Sequence, residues 1–189
     1  MYGAGDTRQV DEETYRKRVD KLVIPRYVGY ILLPAGIINI ILGIVIFVFL
    51  NTYKYPLSSG YQIWTGILGI VIAVFGIKLG AMTEDFRAET VSCEFRKMFF
   101  AFFWSSNTVN WLATQGVGYS IAGTVMCAVN GCSTRNDLLI ALHAVTIALT
   151  LTICVGGWFG QGFYYKFRKT YGILTDKEAM QINSNVMKA

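Results

Sequence analysis

Of 189 residues, 53% are hydrophobic and only 15% charged, and the mean hydropathy is positive; this balance fits a chain that lives in lipid and is unusual for a soluble domain. The length allows one domain and leaves no room for a separate soluble module. The net charge of +5 would suit nucleic acid if it were clustered on one folded face, but it sits in the segments that flank four long apolar runs, which excludes that reading.

The first 26 residues form a polar, charged tail. Residues 1–9 are Gly-rich. From Val10 to Val23 the pattern changes: Tyr15, Val19, Leu22 and Val23 share a helical stripe, and Glu12–Arg16 and Glu13–Lys17 are i,i+4 pairs in the favourable order. The pattern predicts a short amphipathic helix on the membrane surface, with a solvated tail as the alternative. Pro25 is expected to end it or to turn it into the first span. The polar, charged start is not expected to be a cleavable leader, and the first span itself is expected to direct insertion.

That span is 27–50. Pro34 can kink it. Gly29, Gly36 and Gly43 recur every seven residues, a stripe that lets another helix approach closely. Asn39 is its one strongly polar side chain and is expected to pair across a helix interface, contributing about 0.6–2 kcal/mol. Residues 51–60 are turn chemistry. Tyr53, Tyr55, Tyr61 and Trp64 are expected to form an aromatic belt at one interface. The second span, 61–82, carries Gly66, Gly69, Gly76 and Gly80. Ile-Leu-Gly-Ile-Val-Ile occurs at 41–46 and again at 67–72, either a trace of a duplicated hairpin or a chance repeat in apolar sequence.

Residues 83–97 are charged and contain no Pro or Gly, so the helix is expected to continue through them as a stalk. The third span, 98–129, opens with an aromatic block and then turns polar. Asn107, Asn110 and Thr114 fall on one helical stripe, with Gln115 beside it, and are expected to face the bundle interior rather than lipid. They either line a polar path or bond neighbouring helices. The fourth span, 138–165, contains His143, the only histidine, read as a pH sensor or as a neutral group bonded to another helix. Gly156 and Gly160 form a small-xxx-small pair, and the span ends in an aromatic and basic anchor. In the tail, 166–189, Thr175 and Glu178 have the spacing of a capping box.

Fifteen of the seventeen Lys and Arg fall in the two tails and the 83–97 segment together with Lys78; only Lys54 and Arg135 lie in the other two loops. By the positive-inside rule, both tails should be cytoplasmic, and the basic face should meet anionic lipid headgroups or serve topology alone. Cys127 and Cys132 flank the second outer loop and are candidates for a disulfide, with free thiols as the alternative. Cys93, juxtamembrane and cytoplasmic, is a candidate for palmitoylation.

No Asp or Glu lies inside any span, His and Cys are scattered, and neither Gly-x-Gly-x-x-Gly nor a P-loop is present. The expectation is an all-helical four-span membrane bundle, not an enzyme, with no cofactor and no metal. Loop lengths set it apart from tetraspanins and claudins. Gly36-Ile-Ile-Asn39-Ile-Ile-Leu-Gly43 resembles the Gly-x-x-Gln-x-x-x-Gly of the membrane-spanning four-domain family, the relatives of the B-lymphocyte antigen. Gln62-Ile-Trp64-Thr65-Gly66 resembles that family's Pro-x-Trp-Gly-Gly, with Asn for Gln, Gln for Pro and Thr for Gly. The resemblance covers 31–82 best. It implies a protein of the plasma membrane or endomembranes that self-associates and modulates receptor or signalling complexes. The functional expectation is a scaffold or accessory subunit that packs through its glycine stripes, within the bundle or between subunits, with the bilayer and a second copy or another membrane protein as partners. The alternative is an oligomeric pore lined by Asn107, Asn110, Thr114 and Gln115.

Overall fold

The computed structural model describes residues 9–49, 60–84, 86–130 and 136–174. Among these the chain is helical, with a single isolated bridge between Gln9 and Ala88 in place of any strand. The elements are α1 (Glu12–Lys21), α2 (Val23–Phe49), α3 (Tyr61–Gly80), α4 (Cys93–Asn130) and α5 (Asn136–Phe167).

α1 starts where its capping chemistry says it should. The Asp11 carboxylate accepts from the Thr14 N–H at 2.6 Å, Glu12 and Glu13 occupy the first turn, and Arg18 and Lys21 the last. The helix breaks at Leu22, and α2 begins at the next residue. Pro25 therefore does not end α1; it sits in the first turn of α2, where a missing N–H leaves no bond unmade. Pro34 lies inside α2 without ending it.

The four long helices pack as antiparallel neighbours, α2 on α3, α3 on α4, α4 on α5, and α5 back on α2. Glycine sets the closest approach. A Cβ added to Gly36 would sit 2.6 Å from the Gly66 carbonyl oxygen, and one added to Gly66 would sit 2.6 Å from that of Gly36. Backbone touches backbone there, so no larger residue fits. Gly43 faces Gln62 and Ile63, Gly69 faces Ile153, Gly76 faces Pro25 and Phe102, Gly80 faces Arg26 and Leu22, Gly156 faces Leu32, and Gly160 faces Ser106. All these glycines are taken up by contacts within the chain.

Polar side chains are buried beside the apolar core while many large apolar ones face outward. Asn39, Gln62, Thr65, His143, Thr146 and Thr150 are buried, while Ile37, Ile41, Ile44, Val48, Val71 and Leu151 are exposed. Water would disfavour such a surface by far more than the fold could offset; hydrocarbon would not. Three stretches, Glu12–Val48, Tyr61–Gly80 and Asp137–Phe167, are long and apolar enough to cross a membrane. α4 is not among them although it has 38 residues, about 57 Å of helix. Its run from Ser105 to Gln115 dilutes the apolar character expected of the third span.

The expected stalk over 83–97 is not formed. α3 ends at Gly80, and α4 starts only at Cys93, with Ser92 accepting from the Phe95 N–H at 3.1 Å and itself bonded to Glu84. The intervening chain folds back so that Phe86 and Val91 are buried with Phe95, Phe99, Phe163 and Tyr171. Ring centroids lie 5.4 Å apart for Phe86–Phe95, 5.1 Å for Phe95–Tyr171 and 5.7 Å for Phe99–Phe163. This aromatic plug closes the end of the helices where α1 lies.

Arg18 ties that end together and is 2% exposed. Its guanidinium donates to the carbonyl oxygens of Thr170 (2.6 Å), Phe86 (3.0 Å), Ala88 (2.6 Å) and Glu89 (3.1 Å). Tyr171 donates its hydroxyl to the Arg18 carbonyl at 2.7 Å, and burial pushes the Tyr171 phenol above its ordinary pKa. One side chain thus crosslinks α1, the 83–92 connection and the turn after α5. The stripe expected on α1 is rotated accordingly: Leu22 and Arg18 point inward, and Val19 and Val23 are exposed.

Candidate functional site

Two polar constellations lie between the helices. The first is fully internal. Asn39 donates its side-chain amide to Thr65 Oγ1 at 2.8 Å and to Thr150 Oγ1 at 3.4 Å, so α2, α3 and α5 meet on one side chain. Thr65 in turn donates to the Tyr61 carbonyl at 2.8 Å. One turn away, the Tyr61 hydroxyl lies 3.2 Å from His143 Nδ1, and Thr146 donates to the His143 carbonyl at 2.9 Å. Tyr61 is 4% exposed and so does not join the expected interfacial belt, whereas Trp64, 65% exposed, is placed for one. Tyr53 and Tyr55 lie outside the described residues. His143 is fully buried against α3, and its Nε2, like Asn39 Oδ1 and Gln62 Nε2, has no partner among the described residues. This knot has the character of interhelical bonding: neutral groups, short chains of donors and no carboxylate.

The second constellation runs along the seam of α4 and α5 and opens outward. Asn107, Asn110, Thr114 and Gln115 line a groove of about 510 Å³ together with Trp111, Trp158 and Gln161. Gln161 donates its amide to Asn107 Oδ1 at 2.8 Å. Asn110 Oδ1 is close to Gly157, where a Cβ would stand 2.7 Å from it. Thr114 donates to the Asn110 carbonyl at 2.6 Å. Asn107 and Asn110 are half-buried, Thr114 and Gln115 exposed, and Trp111 and Trp158 exposed by 72% and 66%. The expectation that this stripe faces the bundle interior is therefore corrected. The interior side of α4 is taken by Phe99, Phe102, Ser106, Val109 and Ala113, all buried. With a 3.6-residue turn, Asn107 and Asn110 then fall half-buried at the seam, and Thr114 and Gln115 fall on its exposed, outer side.

The polar run was legible as polar; its side was not. Facing was misjudged because the rule that polar groups turn inward in lipid competes with bulk, and the aromatic block of α4 fills the interior. The signal was present in Trp104 and Trp111, one heptad apart, which mark the outward face next to the polar stripe. Arg18 was also missed. Among six basic residues in the tail, nothing in spacing sets it apart, and only the returning 83–92 chain makes it unique.

Cys93 begins α4, exposed and as a free thiol; Cys154 is a half-buried thiol 3.7 Å from Thr114 Oγ1. The candidate pair Cys127–Cys132 and the Thr175–Glu178 box lie outside the described side chains. Among the described residues no group of His, Cys, Asp and Glu could hold a metal ion. Comparison with known proteins returns no matching family model, no curated protein and no solved structure.

Proposed function

We propose that the chain is a four-span integral membrane protein with both tails in the cytoplasm, and that it works without catalysis, as a scaffold or accessory subunit that self-associates through the α4–α5 face. α4 counts as a span on this reading although it is less apolar than the others. It packs against α3 and α5, and an even number of crossings keeps the fifteen basic residues on one side. The observation that carries the reading is the outward groove. Gln115 is exposed, beside Thr114, on a helix flanked by membrane-length neighbours, and an amide facing hydrocarbon gains by pairing with another chain. Amides are both donor and acceptor, so a second copy related by a twofold axis offers each one its complement. The glycine stripes do not serve this purpose, because the helices of the same chain already occupy them. The layout also resembles the membrane-spanning four-domain family, which supports the same reading more weakly.

A second reading draws on the same groove. The aromatic plug closes the interior of a single chain, so a pore would have to form between copies, with Asn107, Asn110, Thr114 and Gln115 lining it. The test is the mass of the purified protein in mild detergent and in nanodiscs, compared with Thr114→Val plus Gln115→Leu. Wild type is expected as an oligomer and the double variant as a monomer; a monomeric wild type under both conditions sinks the scaffold and the pore together. Currents from reconstituted wild type that vanish in Asn107→Leu plus Asn110→Leu would select the pore.

A further inference from the structure

A different seam, between α5 and the start of α2, holds a groove of about 860 Å³, within the roughly 300–1,000 Å³ usual for ligand sites. Its wall is apolar along α5, including Leu151, Val155, Phe159 and Phe163, with Ile24 across from them. It continues into a smaller groove of about 310 Å³ that shares Leu151, Val155 and Phe159 and reaches Val28 and Leu32. Beyond that apolar wall the lining changes character: it includes Lys21, at the end of α1, and Lys166, in the last turn of α5. Neither forms an ion pair among the described residues, and the Lys166 ammonium lies 5.6 Å from the centroid of the Phe167 ring. Gly162 lies in the wall between the two parts, and a Cβ there would meet nothing within 4 Å. Unlike the glycines that let helices touch, this one leaves space open.

A long apolar channel with two ammonium groups in its lining has the chemistry of one ligand class. From this we infer that the α2–α5 seam is a binding site for an anionic glycerophospholipid, whose acyl chain lies along α5 and whose phosphate is held between Lys21 and Lys166. Lysine serves phosphate as a compact point charge. Both lysines belong to the basic tails, where the positive-inside rule puts the cytoplasmic leaflet and its anionic lipids. A soluble anion would not account for the apolar wall, and an apolar helix from a partner would not account for the two lysines. The inference rests on the membrane reading above, and its test separates the two.

The experiment uses the full chain in detergent and native mass spectrometry with phosphatidylglycerol and phosphatidylcholine of the same acyl chains, for wild type, Lys21→Gln plus Lys166→Gln, and Gly162→Leu. Wild type should hold phosphatidylglycerol roughly tenfold more tightly than phosphatidylcholine, and the double Gln variant should lose that preference. Gly162→Leu fills the channel without touching a lysine and replaces a poor helix former, so it should fold, keep its charge and still lose bound lipid of both kinds. Glycerophosphate, which has no acyl chain, should fail to compete. Equal affinity for the two lipids, unchanged phosphatidylglycerol binding in both variants, or full competition by glycerophosphate would each overturn the site. Flotation with phosphatidylcholine vesicles reads the membrane assignment separately: a chain that floats but shows no headgroup preference loses only the lipid site, and one that stays out of the vesicles loses both.

Discussion

Arg18 and the α4–α5 groove are both polar clusters set among apolar helices, and they end in opposite states. Arg18 is buried, and its donors reach four carbonyl oxygens on two separate segments. In the groove, Gln161 donates one hydrogen bond to Asn107, and Thr114 and Gln115 face outward. A buried charge persists only when its hydrogen-bonding capacity is met, so the first cluster belongs to the fold. The Thr114 hydroxyl is bonded to the Asn110 carbonyl, but the exposed Gln115 amide on a helix of membrane length gains by pairing, so the second cluster is where another molecule gains most by arriving. The contrast separates structural polarity from polarity that is left open.

Breaking the closed cluster should have the largest effect. Arg18→Ala strands carbonyls of the 83–92 connection and of the turn after α5 at once, and is expected to cost about 3–5 kcal/mol, the range for removing one partner of a buried charged network. Thermal unfolding followed by near-ultraviolet circular dichroism, which reports the aromatic plug, would check it. Arg18→Lys should recover little, because an ammonium cannot present the planar fork. A melting point within a degree or two of wild type for Arg18→Ala would show that the plug holds without the arginine. Tyr171→Phe keeps the ring among Phe86, Phe95 and Phe99 and removes only the bond to the Arg18 carbonyl; about 1 kcal/mol is expected.

The difference between the clusters also governs what could be read from the sequence. Long apolar runs gave the four long helices nearly to their ends, because length and hydropathy are local properties. The 83–92 segment departs from its expected helix because its structure is not set locally. Locally it lacks Pro and Gly and favours helix, yet Arg18 claims the carbonyls of Phe86, Ala88 and Glu89, which a continuous helix would have used itself. A capping signal at Ser92 was there to be seen, as was Gly172, whose φ of +68° turns the chain after α5 back toward Glu89. For the glycines, small size was legible and the partner was not. Gly43 and Gly69 occupy the same place in the repeated hexapeptide, but one meets α3 and the other α5. Which contact a small residue makes depends on the whole packing.

Opening the comparison from the other side, Thr114→Val plus Gln115→Leu should leave the stability of the single chain within about 0.5 kcal/mol, as expected of exposed positions, while abolishing association. Denaturation in detergent at two protein concentrations separates these effects. Wild type should become more resistant as concentration rises and the double variant should not. A double variant that loses stability at every concentration would mean that these side chains serve the chain's own packing, and the distinction between the two clusters would fail.

The smallest effect tests how the closed cluster is held in register. α1 delivers Arg18, and its first turn is fixed by Asp11. The hydroxyl and backbone N–H of Thr14 bond the ionised carboxylate and hold its pKa below the usual value of 3.8. Because the folded chain favours the charged form, this contribution is fully present above about pH 4 and fades as acid protonates the carboxylate in the folded state. Acidification from pH 5 toward pH 3 should therefore loosen the start of α1 first, read as a lower protection factor, relative to the intrinsic exchange rate at each pH, at Tyr15, whose N–H bonds the Asp11 carbonyl at 3.0 Å. Asp11→Asn keeps a capping side chain that does not titrate, so it should flatten that pH dependence while leaving exchange at pH 7 close to wild type. If both proteins loosened in parallel, the acid response would belong to other carboxylates and Asp11 would be no part of the clasp.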